Sequence, residues 1–164
     1  MGLIINKQIR QLMKGYPTVS DKYNVAGGIL SGDTPVEFGQ LVQKGDTAGY
    51  FKAITATDTI DAVTKLGGFV LATNVKLATE WPGTTVQVIP GEAFNLLING
   101  FMAVELAATA KTADITMNAE VKVLANGGIT TSTDDAALGV IPNTVFTGVY
   151  ETINNVTYAE IYVK

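Results

Sequence analysis

Turn-forming residues cut this chain repeatedly. Gly32-Asp33-Thr34-Pro35, Lys44-Gly45-Asp46, Pro82-Gly83, Pro90-Gly91, Asn99-Gly100 and Asn126-Gly127-Gly128 separate runs rich in Val, Ile, Thr and aromatic residues. Breakers every eight to twelve positions or so leave room for strands and little room for helices. The spacing predicts strands over Tyr23–Ile29, Phe38–Gln43, Tyr50–Ala53, Phe69–Thr73, Thr85–Pro90 and Phe94–Ile98. Further strands are predicted over Phe101–Leu106, Val121–Leu124, Val145–Tyr150 and Thr157–Val163. Asn99-Gly100 lies between two apolar runs, the usual signature of a tight hairpin turn. Tyr158, Glu160 and Tyr162 alternate with Ala159, Ile161 and Val163, so one face of that strand is expected to be buried. A helix over Ala103–Lys111 competes with the strand there. The fold class that follows is all-β, a mainly antiparallel sandwich or small barrel.

The first 22 residues read differently. They carry Lys7, Arg10, Lys14 and Lys22 against a single acid, Asp21, leaving seven basic and fourteen acidic residues beyond. Ile5, Ile9, Leu12 and Met13 fall at helical spacing, and Gly15 and Pro17 end any helix. Residues 1–22 are therefore expected to be an extended or short-helical arm, and residues 23–164 the β-rich body. The arm either caps the core or docks on a partner.

Composition removes most chemistry. The 164 residues include no Cys and no His. A thiol nucleophile, an imidazole base and the usual zinc ligand sets are therefore excluded. The formal charge is −4 and the pI about 4.7, which disfavours phosphate-backbone binding. Gly27-Gly28-Ile29-Leu30-Ser31-Gly32 lacks the spacing of a phosphate loop. Asp134-Asp135 and Asp58 with Asp61 are the closest acid pairs; in Thr-rich turns such residues cap and shape the backbone. Ser20, Ser31 and Ser132 are the only serines, and none sits in a nucleophile elbow. No catalytic residue, cofactor or metal is expected, and neither a signal peptide nor a membrane span is read. Trp81 beside Pro82-Gly83 leaves one binding alternative, a sugar-stacking platform on a carbohydrate-binding sandwich or a head-fibre base. Only 16% of residues are charged and the mean hydropathy is +0.26. That suits a surface partly covered by something else.

The order of motifs resembles the bacteriophage capsid cement, or head decoration, proteins. Gln8, Met13 and Gly15-Tyr16-Pro17 match the start of that family. Val36-Glu37-Phe38-Gly39-Gln40-Leu41-Val42 with Gly45-Asp46, and then Gly68-Phe69-Val70-Leu71-Ala72, follow in order. Pro82-Gly83 with Thr84–Ile89, Gly100-Phe101-Met102-Ala103-Val104, Asn126-Gly127-Gly128 and Val156–Val163 complete the series. Thr18 departs from the glycine usual after the Gly-x-Pro step. The resemblance implies a structural protein, not an enzyme, made in the host cytoplasm and carried on the outer surface of the virion. It would bind neighbouring major capsid subunits and stabilise the DNA-filled head, commonly as a homotrimer and sometimes as a dimer. The resemblance and the arm together make Ile5, Lys7, Ile9, Arg10, Leu12, Met13, Lys14 and Tyr16 the expected capsid-binding residues, with the apolar positions giving contact and the basic ones orientation. No nucleic-acid or membrane contact is expected.

Overall fold

A computed structural model describes residues 14–18, 23–58, 60, 65–72, 87–131 and 136–164. The strands are β1 (Asn24–Leu30), β2 (Val36–Glu37), β3 (Leu41–Lys44), β4 (Tyr50–Ala53), β5 (Leu66–Val70) and β6 (Gln87–Val88). They continue with β7 (Ala93–Glu105), β8 (Glu120–Val123), β9 (Ile129–Thr130), β10 (Gly139–Ile153) and β11 (Val156–Val163). A 3-10 turn spans Thr112–Asp114. The all-β expectation holds, and all but one of the strand pairings are antiparallel.

Five strands close a ring in the order β1-β4-β3-β5-β7, with β7 returning to β1. The parallel pair is β1–β4, with Ile29 opposite Tyr50. Beyond this barrel β7 continues into a second sheet, β7-β11-β10-β8-β9. That sheet curls on itself, because Leu106 bridges Ile129 and the Ala107 amide donates to the Ile129 carbonyl at 2.9 Å. Closure leaves few open strand edges, which protects a β protein from unwanted pairing.

The hairpin expected at Asn99-Gly100 does not form. The strand runs unbroken from Ala93 to Glu105. Its first half pairs with β1 and β5 and its second half with β11, Gly100 facing Val163. Gly100, at φ 126°, marks the change of sheet. Partners on either side hold this backbone extended, and that outweighs the local turn preference. The tight turn lies instead at Asn154 and Asn155, both at positive φ, between β10 and β11. The competing helix over Ala103–Lys111 is also absent: Ala103–Glu105 end β7 and turns follow.

Two cores result from one alternation. Val42, Val70 and Leu96 point into the barrel with Leu30, Phe51 and Phe94. Their neighbours Leu41, Phe69 and Leu97 point the other way, into a core shared with Met102, Phe146 and Ile161. Leu41, Phe69 and Leu97 also stand opposite one another across three strands. A wall buried on both faces explains the unbroken apolar runs there. By contrast β11 is buried on one face. Ala159 and Ile161 are fully enclosed while Tyr158, Glu160 and Tyr162 are half-buried. Each large side chain wholly removed from water contributes about 1.5–3 kcal/mol before entropy is counted.

Candidate functional site

Residues 14–18 pack against β7 through their backbone. The Gly15 amide donates to the Ala103 carbonyl at 2.9 Å, and the Ala103 amide donates to the Tyr16 carbonyl at 3.0 Å. Pro17 bridges Met102, and the Thr18 amide donates to the Phe101 carbonyl at 3.2 Å. The segment therefore lies against β7 as a short added strand. Pro17, with no amide to offer, fits such an outer position. On its other side the Gly15 carbonyl accepts from the Ala72 amide at 2.8 Å. Gly15 is buried at φ +79°, and a Cβ there would stand 2.6 Å from the Phe38 Cβ. Only glycine fits this position without displacing its neighbours.

Lys14 ties this segment to β2 and β7. Its ammonium donates to a Glu37 carboxylate oxygen and to Glu105 Oε2, the latter at 3.1 Å. Glu37 belongs to β2 and Glu105 ends β7. Burial disfavours the Lys14 charge, but the carboxylates of Glu37 and Glu105 outweigh it and the pKa is raised. The Lys14 side chain keeps only 22% of its surface. Glu37 is held in turn by its amide, which donates to Gln40 Oε1 at 2.9 Å. These groups line a notch of about 210 Å³ with Leu106 and Asn126.

Of the residues expected to contact a capsid, Lys14 and Tyr16 lie in this anchored segment. Lys14 is engaged by carboxylates of its own chain, and Tyr16 is half-buried. Ile5, Lys7, Ile9, Arg10, Leu12 and Met13 lie outside the described residues, as do Trp81, Asp134 and Asp135. Glu37 and Glu105 were not singled out as site residues from the sequence. Their one signal is a charge set within an apolar stretch, as Glu105 is between Val104 and Leu106.

Among the described residues no group of three or more Asp or Glu side chains could hold a metal ion. No helix of the described residues is long and apolar enough to cross a membrane. The outer face of β11 offers contact area instead. Tyr162 stacks on Phe101 with ring centres 4.4 Å apart, and Thr147 Oγ1 donates to Glu160 Oε1 at 2.9 Å.

A closed β barrel continued into a second curled sheet, with residues 14–18 laid along the strand they share, defines an all-β protein. The model of the structural cement proteins (E217 gp24/Pam3 gp6) matches residues 5–164. The chain belongs to that family. Among solved structures it is similar to a chain of the capsid of Myoviridae phage XM1. The two share 16% identity and a TM-score of 0.67, over 100% of this chain and 97% of that one. That likeness shows the fold. No curated protein sequence matches. The chain is a structural protein of the phage virion that stabilises the capsid from its outer surface by binding capsid subunits.

Proposed function

We propose that residues 1–22 are the capsid-docking arm and residues 23–164 the decoration body. Ile5, Ile9, Leu12 and Met13 supply apolar contact to the major capsid protein, and Lys7 and Arg10 orient it. Lys14 and Tyr16 serve at the root. The observation that carries this reading is the anchoring of residues 14–18 by four backbone hydrogen bonds and two ion pairs. An arm can bridge subunits only if its base is fixed to the body it secures. The test is co-sedimentation of full-length protein with heads lacking it. Ile9→Asp with Arg10→Glu should abolish binding and leave the melting temperature unchanged. Undiminished binding would remove the arm from the docking surface.

The proposal extends to self-association as a homotrimer, with a dimer as the other outcome. Exposed apolar side chains support it. Met117, Val149 and Tyr150 keep 75%, 51% and 46% of their surface, and the Met117 backbone passes close to Gly148. Sedimentation of the free protein should give the mass of a trimer, and Met117→Asp with Val149→Asp should reduce it to a monomer.

A further inference from the structure

A second surface lies where the barrel end meets the second sheet. A cleft of about 460 Å³ opens there, with the half-buried Leu66, Pro142 and Val163 as its accessible apolar lining. Gly67 and Gly68 line it where packed neighbours leave no room for a side chain. A Cβ on Gly67 would meet the Phe51 ring at 2.5 Å, and one on Gly68 the Leu97 carbonyl oxygen at 2.6 Å. Ile98, 43% exposed, stands on the rim.

The rim is cationic. Lys44 and Lys164 border the cleft. Lys44 is shared with an adjoining polar hollow that also holds Lys52 and Lys65. Four of the six described lysines beyond residue 22 gather at this end of an otherwise acidic body. Two acids, Asp46 and Asp58, share the hollow. The Asp58 carboxylate already accepts from the Thr55 amide, the Thr55 hydroxyl and the Gln43 side-chain amide.

We propose that this cleft takes a segment of the capsid shell that is apolar at its centre and acidic at its flanks. The inference rests on the docking reading above and adds a second contact of the same cationic sign. Charge selects the occupant. The arm of a second copy carries Lys7 and Arg10 and would be repelled by the lysine rim, whereas acidic side chains would be drawn to it. Two contacts on one body also bind far more tightly than either alone, provided both are reached at once.

The experiment measures binding of full-length protein to heads lacking it, at low and high salt. Lys44→Glu with Lys164→Glu should weaken binding about tenfold at low salt, because rim charges act on encounter and register. The deficit should shrink at about 1 M salt, where charges more than roughly 3 Å apart are screened. Lys111→Glu with Lys122→Glu makes the same charge change elsewhere and should leave binding intact. Ile98→Asp should weaken binding more than Ile98→Lys, since only the first repels an acidic partner. Equal effects of the two lysine pairs, or of the two Ile98 variants, would overturn the proposal while leaving the arm in place. A Lys44/Lys164 variant that changes the mass of the free protein instead of head binding would assign the cleft to a second copy. Wild-type protein that ignores heads would overturn the docking reading and this one together.

Discussion

The ring of Phe51 lies against the backbone of Gly28 so closely that a Cβ on Gly28 would stand 2.2 Å from Cδ2 and Cε2. The ring cannot retreat. Gly67 presses on its opposite edge, and Phe94 meets it edge-on at 6.0 Å. Gly28→Ala should therefore destabilise the barrel by about 1–3 kcal/mol, the range for overpacking a filled core. Thermal melting would show it. A melting temperature equal to wild type would mean that the barrel repacks freely.

Gly15→Ala should loosen the attachment of residues 14–18 to β7 and Ala72. The substitution meets both an unfavourable φ and the Phe38 side chain, at a combined cost of about 1–3 kcal/mol. Hydrogen exchange at the Ala72 and Ala103 amides, which bond to residues 15 and 16, should speed up. The Val42 and Ala53 amides of the β3–β4 pair should stay protected.

The Lys14 pairs set an alkaline limit. Its pKa is raised in the fold. Its stabilising effect is therefore complete below the unfolded value near 10.5 and disappears as pH rises through the folded one. The difference in unfolding free energy between wild type and Lys14→Met should be about 1 kcal/mol or less, as for a partly exposed pair. It should stay constant from pH 7 to about pH 10 and fall beyond it. Chemical denaturation across that range measures it.

Asp58 gives the opposite dependence. Burial raises its pKa, but the Thr55 amide and hydroxyl and the Gln43 amide outweigh burial, so the net shift is downward. Its contribution is present above the ordinary value near 3.8 and is lost as pH falls through the lower folded value. Asp58→Ala should cost about 1 kcal/mol at pH 7. Melting curves of the two proteins should converge toward about pH 2.

Asn155 tests the true hairpin. It sits at φ 64° beside Asn154 at 50°, where Gly is welcome and branched side chains are not. Asn155→Gly should leave the melting temperature unchanged or raise it slightly. Asn155→Val should lower it, at a cost of about 1–2 kcal/mol.

Elements that answer to one local environment were legible in the chain. Tyr158–Val163 showed its buried face because only one side of β11 is covered. Asn99-Gly100 misled because its local signal is that of a turn, while partners as distant as Val163 keep the strand extended. Closure of the barrel was hidden for a similar reason. It depends on Ile29 meeting Tyr50 and Val25 meeting Leu97, pairings that no short window contains. The basic character of Lys14 was plain, but its partners lie 23 and 91 positions away. The lysine-rimmed cleft is assembled from β3, β5, β7 and the ends of β10 and β11, so no contiguous motif announces it.

The passage of β7 through both sheets has a mechanical meaning. A force that draws the barrel away from the second sheet is carried along peptide bonds. Bonds to β1, β5 and β11 run crosswise to that strand, so tension along it must shear whole rows at once and cannot peel them singly. A shell straining outward as it fills would meet in each copy a short, stiff tie that yields late and all together.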